Sequence, residues 1–145
     1  MKVFRYQFVA TLLSVGLGFT PATTVSDDSR LLVELPEMMQ KHMLTNMRDH
    51  LAAVHEILVL LAQGELDDAA DIAEFRLGMS SLESHGASHM AQFMPEKMRD
   101  MGTAMHRAAS RFALIAQEGE IAAAYRALGE VTVACVSCHA GYKIR

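Results

Sequence analysis

The feature that most constrains the fold is a helical spacing of apolar side chains, which recurs in four segments of this 145-residue chain. In the first segment the apolar residues follow one another at steps of three or four, which is the period of one helix face. The sequence predicts this helix over residues 36–63, with Pro36 in its first turn and Gly64 just past its end. Its apolar face consists of Met39, Met43, Met47, Leu51, Val54, Leu58 and Leu61.

Three further segments share this period. The second predicted helix covers residues 65–82, the third 95–119 and the fourth 121–142. Residues 84–88 interrupt the pattern, and no segment alternates as a strand would. The sequence therefore predicts an all-α protein, and its two very short connections favour an up-down-up-down four-helix bundle over residues 36–145.

The bundle topology places distant methionines together. The end of the fourth helix should lie at the same pole as the start of the first helix and the junction between the second and third. Residues 135–139 then share one end of the bundle with residues 38–47 and 85–98. Seven of the ten methionines after Met1 lie in these two stretches, so we expect a methionine-rich surrounding for residues 135–139.

The N-terminus has the composition of an export signal. Lys2 and Arg5 precede an apolar stretch, and Thr20-Pro21-Ala22 offers a small-residue cleavage site. We predict a signal peptide over residues 1–22, cleavage near Ala22, a loose leader over 23–35 and a periplasmic location. An uncleaved membrane anchor is the alternative, but the apolar stretch falls short of the ~20 residues that a spanning helix needs.

The charge limits the partners of the processed chain. The full chain has a net charge of −4, and loss of the two basic residues in 1–22 leaves eleven Lys and Arg against seventeen Asp and Glu, which is −6. Nucleic acid and anionic membrane surfaces are therefore poor partners. We expect a redox protein with a basic surface as partner, no stable membrane insertion after processing, and a possible homodimer.

The chain has two cysteines, and they form the motif C-x-x-C-H with the residue that follows. A disulfide between Cys135 and Cys138 would close a tiny loop and stabilise the fold little. On a helix the two thiols share a face and His139 follows one turn after Cys135, which suits two vinyl groups and the iron of one porphyrin. The motif predicts one covalently attached haem c with His139 as proximal ligand.

Two other uses of these cysteines compete with haem. A thioredoxin-like pair would open a helix in a βαβ setting, whereas these cysteines lie near the end of a helix in an all-helical chain. A zinc site would need two more ligands, which His85 and His89 could supply. A third reading is a haem-free copper protein, because thioethers select Cu(I) and methionine is abundant.

The run from Cys135 to Lys143 resembles the C-terminal signature of the class II c-type cytochromes, which include cytochrome c′ and its low-spin relatives. Two residues separate His139 from Tyr142 and the basic Lys143, close to the chain end. The resemblance covers about residues 36–145 and implies a four-helix bundle with haem near the end of the last helix. It also implies either electron transfer or gas binding.

The residue opposite His139 decides between these two functions. A methionine there gives a six-coordinate haem suited to electron transfer, whereas an open site leaves the iron free to bind NO or CO. The low-spin relatives place their methionine in the middle of the first helix, which implies Met47, with Met43 as second choice. Met39 and His42 stay possible from the sequence.

The remaining histidines and methionines have ordinary interpretations. His50 and His55 are predicted as surface or boundary residues, and His106 as an exposed or edge residue. His85 and His89 are four apart and could form a metal-binding pair, but Gly86 favours a loop with solvated side chains. The sequence contains no catalytic constellation, so we predict no enzymatic activity.

The methionines around the third helix have two expected places. We predict core positions on that helix for Met98, Met101 and Met105. Met90 and Met94 precede the helix, and we expect them at the haem edge.

Overall fold

A computed structural model describes residues 28–145. The predicted signal peptide, residues 1–22, and the first part of the predicted leader lie outside the described residues. The described chain contains five α-helices and two short strands. Their bounds are β1 Leu31–Val33, α1 Glu37–Gln63, α2 Leu66–Arg76, α3 Ala87–Ala91, α4 Glu96–Ala116, α5 Ile121–Gly141 and β2 Tyr142–Ile144.

The predicted all-α class is confirmed, and the helix ends follow the local chemistry. Pro36 and Pro95 directly precede α1 and α4, where the missing N–H of proline has no cost. Gly64 ends α1 with φ +80, in a left-handed conformation that glycine adopts without strain. The strongest single-residue signals in the sequence therefore correspond to real helix ends.

The helices pack in a series. α1 lies against α2, α2 against α4, and α4 against α5, whereas α5 contacts α1 at only a few positions. Small side chains allow the closest approaches, since Ala53, Ala109 and Ala124 have no exposed surface. The bulky residues of this main core, fully or almost fully buried, are Ile57, Leu77, Phe112 and Val131. Burial of such side chains contributes roughly 1.5–3 kcal/mol each to the fold.

The second helix is shorter than the sequence predicts, because α2 ends at Arg76 and not near Leu82. A single 3-10 turn, Met79–Ser81, follows it. The cause is a close approach at Gly78, where a Cβ atom would lie 2.7 Å from the carbonyl oxygen of Glu74 and 2.8 Å from Ser110 Oγ. The amide of Met79 donates to the same hydroxyl at 2.9 Å, so α4 fixes the point where the chain turns.

The structure differs from the sequence prediction in the segment before α1, which is not a loose leader at residues 31–33. β1 pairs with β2 in parallel, with Leu31 opposite Tyr142 and Val33 opposite Ile144. The pairing continues beyond the strands, since the Leu35 amide donates to the carbonyl of Arg145 at 3.0 Å. The two ends of the described chain are therefore joined beside the C-terminal end of α5.

α5 is long and apolar enough to cross a membrane when judged by length and composition alone. A core helix of a soluble domain has the same composition, so this is weak support for a span. Ala124, Ala127, Leu128 and Val131 of α5 are buried in the main core, while Val133 and Val136 are exposed. The apolar character of α5 is thus used partly for packing.

We expect Val33→Ala to lower the free energy of unfolding by about 1–2 kcal/mol, because it removes two methyl groups from a buried strand position. Val33 is 5% exposed, whereas Leu31 on the same strand is 55% exposed. Leu31→Ala is the matched control and should change stability by less than about 0.5 kcal/mol. Urea unfolding of both variants measures this, and equal effects would contradict the pairing of β1.

Candidate functional site

A cavity of about 420 Å³ lies between α1, α4 and α5. Its size is in the range of small-molecule and cofactor sites, which is roughly 300–1,000 Å³. Most of its wall is apolar, and methionine dominates the wall. The methionines that line it are Met43, Met47, Met90, Met94, Met98 and Met105.

A second small core closes the cavity beside the strands. Val33, Leu35, Met90 and Met98 are buried together there, and Cys138 packs against them. Because β1 and β2 carry part of this cluster, the strand pairing shapes the cavity. Met90 and Met94 reach it from the segment before α4, while Met101 lies half-buried outside its lining.

The structure brings two of the three motif residues into the cavity wall. Cys138 and His139 line the cavity, and Cys135 lies one turn earlier on α5, against the main core. Both cysteines are free and half-buried. Burial raises the pKa of each thiol, and the charge of Cys135 raises that of Cys138 further. Reactive cysteines have a lowered pKa, so this pair lacks the property of a thiol redox site.

The residues predicted opposite His139 separate into two groups. Met47 and Met43 of α1 line the cavity together with His139. Met39 packs against the small methionine core instead. The ring of His42 is occupied elsewhere, because its Nε2 lies 2.7 Å from the carbonyl oxygen of His85. The structure therefore places Met47 and Met43 in the cavity wall with His139, and Met39 and His42 outside that wall.

The predictions that His50 is a surface or boundary residue and His106 an exposed or edge residue are wrong. Both side chains are buried, with 9% and 8% of their surface exposed, and both line the cavity. The sequence carried a signal for His50, since it lies three residues after Met47 and four before Val54, on the apolar face of the first helix. His55 is exposed, as predicted.

His50, His85 and His106 form a cluster, called here the histidine triad. The ring centroids are 4.8 Å apart for His50 and His85, 5.6 Å for His85 and His106, and 5.9 Å for His50 and His106. His50 Nε2 lies 3.5 Å from His85 Nδ1. Ser81 Oγ lies 3.3 Å from His85 Nδ1, and His106 Nδ1 donates to the carbonyl of Leu77 at 2.7 Å. The triad gives the cavity one polar wall.

Burial keeps the triad neutral. It lowers the pKa of His50 to about 4, and the charges of His85 and His106 act in the same direction, as does that of His139. Burial is also the largest cause of the lowered pKa of His85 and of His106. Neutral imidazoles retain a lone pair, so each ring of the triad can accept a hydrogen bond or act as a ligand at neutral pH.

The predicted pair of His85 and His89 does not form on one helix. His85 lies in the turn before Gly86 and is a member of the histidine triad, whereas His89 is an exposed residue of α3. Within residues 28–145, no group of three or more His, Cys, Asp or Glu side chains is arranged to hold a metal ion. A zinc site made of the two cysteines and these histidines finds no support here.

The part of the cavity beside the two strands, called here the mouth, carries two cations. Arg30 and Lys143 line it, and both contact Asp28, at 2.8 Å and 3.3 Å respectively. The hydrogen bonds from the Arg30 guanidinium hold the pKa of Asp28 well below its usual range. This carboxylate is therefore ionised, and the mouth as a whole has a small positive excess.

Comparisons of this chain with protein-family models, with curated proteins and with solved structures found no match. The resemblance of residues 135–143 to the class II c-type cytochromes thus stays a prediction from the motif.

We expect His106→Gln to reduce the loss of stability at acidic pH. Burial lowers the pKa of His106 in the folded chain. The stability that the neutral ring contributes is therefore complete above the ordinary histidine pKa of 6.5 and is lost as the pH falls through the lower pKa of the folded chain. Each pH unit in that window costs up to about 1.4 kcal/mol per proton. Urea unfolding at pH 7 and pH 5 should show a smaller decline in this variant. The exposed His55→Gln is the control, and equal declines would contradict the neutral triad.

Proposed function

We propose that this protein is a periplasmic monohaem c-type cytochrome that transfers electrons. Cys135 and Cys138 would hold the haem covalently, and His139 would ligate its iron from the proximal side. The observation that carries this proposal is that Cys138 and His139 lie in the wall of a methionine-lined cavity, with Cys135 one turn away. A C-x-x-C-H motif on an exposed helix face without such a cavity would have no place for a porphyrin.

The residues present fit haem in chemistry as well as in size. A porphyrin needs an apolar slot, a nitrogen ligand for its iron and two thiols at one edge. The thioethers of the cavity provide apolar, polarisable contacts, and His139 is an exposed residue that lines the cavity. Arg30 and Lys143 at the mouth would meet the acidic groups of the cofactor.

Haem, when bound, supplies a one-electron redox centre. The chain controls that centre through what surrounds it. The methionines that line the cavity would reduce the access of water to a bound haem, and a drier surrounding disfavours the more highly charged oxidised state. α4 packs against α5, and Cys138, next to His139, packs against the small core of Val33, Leu35, Met90 and Met98. These contacts hold the segment that carries His139, which suits electron transfer, because little should move in that reaction.

Several finer predictions belong to the same proposal. The four long helices α1, α2, α4 and α5 would run alternately up and down, with the haem near the end of the last helix. Export would follow from the signal at residues 1–22. The acidic processed chain would dock a redox partner with a basic surface, and the exposed sides of α1 and α2 would form the contact of a homodimer.

Gas binding is the alternative within the same haem reading. It requires that no side chain ligates the iron opposite His139. Three cavity-lining residues of α1 could do so, namely Met43, Met47 and His50. Because all three face the cavity, a six-coordinate iron and electron transfer are favoured over an open site.

We expect covalent haem attachment to be lost when both cysteines are replaced by serine. The parent, expressed in a bacterium that matures c-type cytochromes, should keep its haem on a denaturing gel, as detected by haem peroxidase staining. Cys135→Ser with Cys138→Ser should show none, because serine forms no thioether. Ser137→Ala, between the two cysteines, is the matched control and should stain like the parent. A parent protein that does not stain for haem would contradict the haem proposal.

A copper protein without haem is a second candidate, favoured by the six methionines and the neutral triad around one cavity. Thioether and imidazole ligands select Cu(I). If this is the function, haem-free protein should compete with a Cu(I) chelator, and Met90→Leu with Met94→Leu should weaken the competition. Absence of competition by the parent would remove this candidate.

A further inference from the structure

We propose that His50, and not Met47, is the iron ligand opposite His139, which makes this a bis-histidine cytochrome. This inference rests on the proposed function, because it assumes that haem occupies the cavity. It assigns a role to a residue that the motif does not contain.

His50 has the position that a distal ligand needs. Met43, Met47 and His50 follow one another at steps of four and three on α1, and all three line the cavity. α5 lines the same cavity and contributes Cys138 and His139 to its wall. Of these three α1 residues, His50 alone is buried, while Met43 and Met47 are half-buried. Its ring therefore has the cavity as its main free space.

The ring of His50 makes no short hydrogen bond that would have to be given up. Its one hydrogen-bond contact among the described residues is the 3.5 Å approach of Nε2 to His85 Nδ1, at the outer limit of a hydrogen bond. His42 and His106, by contrast, each have a ring nitrogen 2.7 Å from a carbonyl oxygen. Of the two buried histidines, His50 and His106, His50 is thus the one whose ring makes the weaker hydrogen bond.

His50 of α1 and His139 of α5 line the same cavity. Two imidazoles in the wall of one cavity supply the two nitrogen ligands that a bis-histidine haem iron would need. Imidazole nitrogen is also a good ligand for iron in both oxidation states.

His85 acts as a positioning residue for His50. Its carbonyl oxygen is tied to α1 by His42 at 2.7 Å and by the Asn46 amide at 3.0 Å. Ser81 Oγ lies 3.3 Å from His85 Nδ1, the same ring atom that His50 Nε2 approaches. The turn that carries His85 is therefore fixed to α1, and its ring limits the rotation of His50. Such outer contacts orient ligating histidines.

The ligand has a functional consequence. Methionine opposite histidine raises the reduction potential of a haem. A second imidazole lacks this effect, because its nitrogen stabilises the oxidised iron better than a thioether does. We therefore expect the protein to donate electrons at a lower potential than a cytochrome with a His–Met haem.

The test uses the haem-loaded protein and its absorption and electron paramagnetic resonance spectra. The parent should be low-spin in the ferric state, without the long-wavelength charge-transfer band of a methionine ligand. His50→Ala should become high-spin, and added imidazole should restore the low-spin spectrum. Met47→Leu should stay low-spin. His55→Ala, an exposed residue on the same helix, is the matched control and should resemble the parent.

His50→Met keeps the test informative if the alanine variant does not fold. This variant should gain the charge-transfer band of a methionine ligand, and its reduction potential should rise. A low-spin spectrum that survives His50→Ala, or a parent that shows the methionine band and loses it in Met47→Leu, would overturn the assignment of His50. A high-spin parent would overturn it as well. In all of these outcomes the haem stain persists, whereas failure of the proposed function removes the stain itself.

Discussion

The packing of α5 along α4 is the interaction on which the rest of the structure depends. Alanine side chains at Ala109 and Ala124 have no exposed surface, so the backbones of the two helices can approach closely. Because α5 follows α4, it contacts α1 at only a few positions. Direct packing therefore does not fill the space between α1 and α5. This space forms part of the cavity, which methionine side chains line.

The strands complete this arrangement from the other side. β1 and β2 join the segment before α1 to the segment after α5, and their buried residues Val33 and Leu35 support the methionines of the small core. The position of α1 relative to the C-terminal end of α5 is thus fixed by backbone hydrogen bonds. The strand pair therefore acts together with the packing of α1, α2, α4 and α5 in series to set the width of a cavity between two helices in little direct contact.

The histidine triad is the costly part of the cavity wall. Burying three imidazoles disfavours their charged forms, and each charge would repel the others at ring distances below 6 Å. The cost is limited by keeping the rings neutral and giving His106 a carbonyl partner at Leu77. A polar wall of this kind in an otherwise apolar cavity points to function and not to stability.

The sequence predicts the parts that depend on local chemistry. The ends of α1 at Pro36 and Gly64 and the start of α4 after Pro95 follow from spacing and residue type. The expected bundle and the family resemblance led to Met43 and Met47, which line the same cavity as His139. The shorter α2 could not be predicted, because the close contact at Gly78 involves Ser110 on a distant helix. The strand pair is equally non-local, and three residues are too few to show an alternation.

The histidines illustrate the same limit. His50 lies on the apolar face, but a polar residue on such a face is ambiguous until its neighbours are known. His106 is buried because the turn after α2 brings Leu77 and Ser81 against it, which no local pattern encodes.

The central claim is that the chain carries one covalent haem at Cys135 and Cys138. Intact-protein mass spectrometry of the exported protein, unfolded in acid to release any non-covalent ligand, tests this claim most directly. The account predicts the mass of the processed polypeptide plus one haem, with the added mass on the peptide that contains both cysteines. The mass of the bare polypeptide, from a host that matures other c-type cytochromes, would contradict it.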